Sequence, residues 1–180
     1  GCPDVAPKRR VRIVSNTIAV PPVFFATNKD VILKRSYKDL NAVVEVLRMN
    51  KWIKKIRIEG HTDDVGKDSS NMNLSERRAK SVFKFLSAGG VAEGRLSYKG
   101  FGETTPKCPF KDLLKQSKKG KRRARRKAKK ALKACRSTNR RVVFRILDPK
   151  AEGNTVTRTR KVVDEEPGKT MKRAKPKPTK

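Results

Sequence analysis

The sequence predicts an α/β (α+β) domain of order β-α-β-α-β-β, with two main helices on one mixed sheet and a basic helical insertion before the last strand. Three observations predict it. Short runs with period-two apolar alternation are separated by longer runs with helical apolar spacing. Each helical run is bounded by recognisable start and stop residues. One segment, residues 107–136, breaks the pattern with 15 basic residues against a single acid. Strands separated by single helices favour parallel neighbours, with the helices layered on the sheet.

Val11 to Phe25 reads as extended, because β-branched and aromatic residues dominate it; Pro21 and Pro22 argue for an edge or a break within it. Ser36 begins a helix, with Asp39 three residues on as a variant capping box. Tyr37, Leu40, Val43, Val44 and Leu47 follow helical spacing along it. Lys54 to Glu59 alternates, with Ile56 and Ile58 on one face, and Gly60 closes the strand. A polar loop follows from His61 to about Met72. Asn73 caps a second helix, with Glu76 three residues later, and Gly89-Gly90 stops it after Ala88. Leu96 to Phe101 is a short strand. Arg141 to Leu147 is another, with Val142, Phe144 and Ile146 on one face. Between these strands, Phe110 to Ala134 is mostly strong helix formers with one breaker, Gly120. Its apolar residues are few (Phe110, Leu113, Leu114 and Leu132), which predicts a solvated helix or helical hairpin packed lightly on the domain.

The 180 residues suffice for one domain with a hydrophobic core plus extensions. Lys and Arg number 48 and Asp and Glu 17, for a net charge of +31. Residues 107–136 carry +14 of this and residues 149–180 carry +6, so the compact remainder carries only +11. A strongly basic segment implies a polyanion nearby. The expected organisation is a linker over 1–9, a domain over 10–148 and a basic tail over 149–180, the tail too charged and proline-rich to fold alone. A start at Gly1-Cys2-Pro3 reads as part of a longer chain. No signal peptide pattern is present, and no apolar run approaches the roughly 18–20 residues that span a bilayer. Cys108 and Cys135 bracket the basic segment. Either they form a disulfide, adding roughly 3–4 kcal/mol on the chain-entropy model, or they are two free thiols.

On a wheel of about 100° per residue, Leu74, Ala79, Val82, Phe85 and Leu86 of the second helix share one arc. Arg78 falls inside that arc, whereas Arg77 falls opposite with Glu76, Lys80 and Lys84. A guanidinium facing a core or its rim cannot discharge, so it needs an anion of matching geometry. Either Arg78 pairs with Asp63 or Asp64 in the preceding loop, or it lines a pocket for a zwitterion. In such a pocket Arg clamps a carboxylate and Asp accepts from an ammonium.

Gly60-His61-Thr62-Asp63-Asp64-Val65-Gly66, Asn71-x-x-Leu74-Ser75-x-x-Arg78-Ala79, Gly100-Phe101-Gly102-Glu103 with Pro106, and Asn139-Arg140-Arg141-Val142 follow in order. Together they resemble the OmpA-like C-terminal domain. Val23 to Asn28 resembles that family's first core strand and the loop after it. The resemblance covers about residues 10–148 outside the insertion, where most relatives have a short loop. It implies noncovalent binding of peptidoglycan through the diaminopimelate of the stem peptide, tethering the outer membrane to the cell wall. Asp63 and Arg78 match the residues that hold the amino-acid-like end of diaminopimelate. Asn28, Asn71 and one arginine of the Asn139-Arg140-Arg141 run, taken as Arg140, match further contacts. The resemblance also implies the periplasmic face of the outer membrane and no cofactor. Cys2-Pro3-Asp4 resembles the end of a thrombospondin type-3-like repeat, too short to hold a metal.

An enzyme is not expected. His61 is the only histidine, and with Asp63 and Asp64 it lacks the ligand count and spacing of a metal or acid–base site. The rival reading is sequence-nonspecific polyanion binding, to nucleic acid or lipopolysaccharide, through the insertion and tail. No aromatics are interleaved there for base stacking, so no specific nucleic acid is expected. In the periplasm the polyanions on offer to the insertion are anionic lipid, lipopolysaccharide or the wall itself, and the alternative is a solvated basic face with no dedicated partner.

Overall fold

The computed structural model describes residues 11–119 and 121–147. The expected end of an upstream repeat or linker over 1–9 and the expected basic tail over 149–180 lie outside the described residues. Strands β1 (Arg12–Val14) and β2 (Thr17–Ala19) form a hairpin. A single 3-10 turn leads into α1 (Tyr37–Met49), followed by β3 (Ile56–His61), α2 (Asp68–Ala88) and β4 (Leu96–Gly100). Helices α3 (Lys111–Lys118) and α4 (Arg122–Asn139) then precede β5 (Arg141–Ile146). The five strands form one mixed sheet of order β1-β2-β5-β3-β4. β3 and β4 are parallel, joined across α2, and β5 runs antiparallel to both β2 and β3. The predicted α/β class, with two main helices on a mixed sheet and a helical insertion before the last strand, is the observed one.

The apolar periodicities become the core. Leu40, Val43 and Leu47 of α1, Ile56 and Ile58 of β3, Val82 and Leu86 of α2, and Phe144 of β5 are all essentially inaccessible. Each large aliphatic buried this way contributes about 1.5–3 kcal/mol. Tyr37 departs from its predicted place: it is partly exposed and its ring packs on Phe85 at 5.2 Å between centroids.

Three boundaries differ from the sequence reading, each for a local reason. Val11 to Phe25 is a hairpin and then irregular chain, because the turn places Ser15 at φ 50° and the two prolines interrupt the extended run beyond β2. Ser36 does not cap α1 through its side chain; its Oγ accepts from the Phe24 N–H at 2.8 Å and fastens the incoming chain instead. α2 begins at Asp68 rather than Asn73. Its first turn lies over a loop and not over the core, so it carries no apolar signal.

Gly60 lies inside β3, in register with Gly100 of β4. A Cβ on Gly60 would sit 2.1 Å from the Ser75 carbonyl oxygen, and one on Gly100 would sit 2.6 Å from Ser75 Oγ. The paired glycines thus let α2 rest directly on the sheet backbone. Ser75, fully buried, accepts from the Gly102 N–H at 2.9 Å and donates to the Met72 carbonyl at 2.7 Å.

The insertion is a helical hairpin whose second helix runs straight into β5. Ala128, Leu132, Cys135 and Asn139 recur at helical spacing and are the buried positions of α4. A disulfide joins Cys108 to Cys135. Beside it, Asn139 accepts from the Cys108 N–H at 2.8 Å and donates to the Cys108 carbonyl at 3.0 Å. The base of the hairpin is therefore fixed to the domain.

Candidate functional site

The site gathers at the C-terminal ends of the parallel strands β3 and β4, where loops leave the sheet. The Thr62 N–H donates to the Gly102 carbonyl at 2.8 Å, tying the loop after β3 to the loop after β4. Asn71, near the start of α2, braces the same region: its Nδ2 lies within hydrogen-bond distance of the Asp63 carbonyl, the Val65 carbonyl and a Glu103 carboxylate oxygen at 2.8 Å. Asn71 is thus placed as the organiser of the loop carrying Asp63 and Asp64.

The two loop aspartates are both held by arginines from the end of the insertion. Arg136 grips Asp64 with two bonds, Nε to Oδ1 at 2.8 Å and Nη2 to Oδ2 at 2.6 Å. That bidentate grip outweighs burial and lowers the Asp64 carboxyl below its ordinary pKa, while raising that of Arg136. Arg140 donates from Nη1 to Asp63 Oδ2 at 2.5 Å, and the Val65 N–H approaches Asp63 Oδ1 at 3.3 Å.

Arg78 pairs with neither aspartate. Its Nε donates to the Lys29 carbonyl at 3.1 Å, and its guanidinium lies 5.1 Å from the centre of the Phe25 ring. Among the described residues no carboxylate lies within salt-bridge distance of it. Burial lowers its pKa, repulsion from Arg140 adds to this, and attraction to Asp63 and Asp30 opposes it. The loop it holds carries Asn28, left-handed at φ 54° in a turn closed by the Lys29 N–H on the Ala26 carbonyl. Asparagine tolerates that conformation better than most residues. Arg78 and Arg140 line a cleft of about 210 Å³ together with Phe25, Gly60, His61 and Arg141.

His61 borders this cleft without suiting acid–base work. It stacks on Phe101 at 5.4 Å, its Nδ1 lies 3.1 Å from Thr105 Oγ1, and its Nε2 is buried with no partner. Burial, then the charge of Arg141, lowers its pKa to about 4 despite the opposing pull of Glu59. It is neutral at pH 7. Glu59, on the same face of β3, is enclosed by Arg57 and Arg145 at 2.8 Å each.

The structure thus brings Asp63, Asn71 and Arg140 into one hydrogen-bonded unit and places Arg78 and Asn28 on an adjoining one. The sequence reading missed Arg136 and the Phe25 ring. Arg136 gave no signal because its place depends on the path of the insertion; Phe25, just before a turn with an asparagine, carried a faint one.

A mixed sheet with helices on it, and charged side chains gathered in the loops beyond its parallel strands, defines a domain that presents a site on a rigid frame. The chain belongs to the OmpA family, whose family model matches residues 24–123. It is similar to outer membrane porin F of Pseudomonas aeruginosa, with 36% identity over 107 residues, 59% of this chain and 28% of that protein. It is similar also to the peptidoglycan-binding protein ArfA of Mycobacterium tuberculosis, with 29% identity over 106 residues, 59% of this chain and 32% of that protein. The chain therefore spans about a third or less of these two relatives. Among solved structures, the C-terminal domain of Helicobacter pylori MotB shares the fold: TM-score 0.55, 23% identity, covering 75% of this chain and 91% of that one.

Proposed function

We propose that this domain binds peptidoglycan noncovalently at the periplasmic face of the outer membrane, and so tethers that membrane to the cell wall. The ligand is the stem peptide, held through its diaminopimelate. The observation that carries this reading is Arg78: a half-buried guanidinium at a cleft, repelled by Arg140 and without a carboxylate partner among the described residues. A carboxylate entering the cleft satisfies it in bidentate fashion, and the ammonium of the same amino-acid group meets Asp63. Arg140, released from Asp63 as the ammonium arrives, turns to the ligand's carboxylate beside Arg78. Asn71 and Asn28 fix the two loops on either side. No covalent chemistry is involved. The binding named for ArfA supports peptidoglycan as the ligand, and similarity to outer membrane porin F supports the location.

The test is co-sedimentation with purified sacculi in about 0.3 M salt, where diffuse attraction is screened. Binding is expected to survive Arg77→Ala and to be lost in Asp63→Ala and Arg78→Ala. Titration with a diaminopimelate-containing stem tripeptide, against its lysine counterpart, tests the residue specificity. Binding that disappears with salt in the wild type, or that ignores all three substitutions, overturns the reading.

A further inference from the structure

Outside the cleft, the insertion carries the densest charge among the described residues. Helix α4 holds nine lysines and arginines and no Asp or Glu. Cations three or four residues apart on a helix repel by a few tenths of a kcal/mol per pair. The hairpin bears that repulsion because its base is clamped by the disulfide and by Asn139. Between α3 and α4 lies a groove of about 760 Å³. Its walls carry Lys118, Arg125, Lys129 and Lys133, with Arg136 and Arg140 at the inner end; Leu114 and Leu132 also line it, and no carboxylate does. Arg136 and Arg140 are occupied by Asp64 and Asp63. The other four make no salt bridge among the described residues. From Arg125 to Arg140 the cations follow one face of the helix, over about 22 Å at 1.5 Å per residue.

We infer that this groove is a second binding site, adjoining the cleft at Arg140, and that it takes the phosphate groups of an anionic lipid surface. A row of cations over leucines matches a headgroup layer, where lysine and arginine stems cover apolar ground while their charges meet phosphate. Nucleic acid offers the same phosphates, but residues 107–136 contain one aromatic, Phe110, and so no platform for stacked bases. The disulfide points the same way, because such bonds persist in oxidising compartments. Arg140 lines both groove and cleft, so lipid and the cleft's ligand approach from adjoining faces.

The experiment is vesicle flotation of the oxidised protein with phosphatidylcholine alone and with added phosphatidylglycerol. The variant Arg125→Glu/Lys129→Glu/Lys133→Glu reverses the groove. Arg123→Glu/Lys127→Glu/Lys130→Glu makes the same change in charge on the opposite face of α4. The wild type is expected to float only with phosphatidylglycerol, the groove variant to bind at least tenfold more weakly, and the opposite-face variant no more than threefold more weakly. A triple change to Gln at the groove positions serves if the Glu variant fails to fold, with a loss of at least fivefold expected. Equal losses from the two faces overturn the inference, as does groove-dependent binding of a short DNA duplex tighter than that of the vesicles. Sacculus binding in 0.3 M salt is expected to persist in both triple variants, so failure of one site is distinguishable from failure of the other.

Discussion

Arg140 occupies the carboxylate of Asp63 in the free domain: Nη1 donates to Oδ2 over 2.5 Å, and 12% of the Asp63 side chain is exposed. A ligand ammonium therefore meets an aspartate that already has a cation. The exchange is close to even in charge, because one cation replaces another and the displaced arginine gains the ligand's carboxylate.

Arg140→Ala consequently has two opposing effects. It frees Asp63 for the ligand and removes a repulsive neighbour from Arg78, but it takes away one donor to the incoming carboxylate. Sacculus binding in Arg140→Ala is expected to weaken by about two- to tenfold, roughly 0.4–1.4 kcal/mol. Asp63→Ala and Arg78→Ala are expected to cost far more. Matched co-sedimentation titrations of the three variants check the order.

His61 makes stability fall on mild acidification. Burial holds its folded pKa at about 4, below the ordinary 6.5, so the unfolded chain binds the extra proton across that interval. Its contribution is full above pH 6.5 and is lost as pH falls towards 4. At about 1.4 kcal/mol per pH unit this amounts to about 3 kcal/mol. His61→Phe keeps the stack on Phe101 and removes the titrating group. Urea unfolding at pH 7 and pH 4.5 is expected to show a smaller pH difference in the variant than in the wild type.

Loss of the disulfide is expected to destabilise the domain substantially. The cysteines are 27 residues apart, and closing a loop of that size restricts the unfolded chain by about 3.5 kcal/mol on the chain-entropy model. Cys108→Ser/Cys135→Ser is expected to lower the urea midpoint, and a reductant to do the same to the wild type but nothing further to the variant. Unfolding curves with and without dithiothreitol measure both.

Gly60→Ala is the most damaging small substitution expected. Its methyl would lie 2.1 Å from the Ser75 carbonyl oxygen, a backbone atom that moves only with the whole helix. The cost is expected to be about 3 kcal/mol or more, at the upper end for overpacked interiors. Gly94→Ala, where an added methyl meets nothing within 4 Å, is the control. Thermal unfolding compares them.

The elements that were legible in the sequence are those whose apolar faces meet the core. Leu40, Val43, Val44 and Leu47 mark α1, and Phe144 and Ile146, with the half-buried Val142, mark β5, because burial repeats with the period of the backbone. The hairpin at Ser15 was not legible: its turn has no glycine, and the strands flanking it are three residues each. Nor was the start of α2, whose first turn, Asp68 to Asn71, is wholly polar and is followed by an outward-facing Met72. Within the site, the facing of Arg78 could be read from helical spacing alone. The pairing of Asp64 with Arg136, 72 residues away in sequence, could not. It depends on where the insertion re-enters the domain, which no local pattern encodes. The hold of Arg140 on Asp63 was hidden for a related reason, since it is decided at the junction of α4 with β5.

The strand order has a consequence for how the chain is made. β5 is the last of the five strands, yet it sits in the middle of the sheet. Until it emerges from the ribosome, the β1–β2 hairpin and the β3–β4 pair have no partner in common, and each offers an open edge to other nascent chains. The segment synthesised just before it is the most highly charged in the described chain, and like charge on every copy opposes their association. The hairpin that crowns the finished domain therefore also arrives at the moment when the unfinished one is most exposed to aggregation.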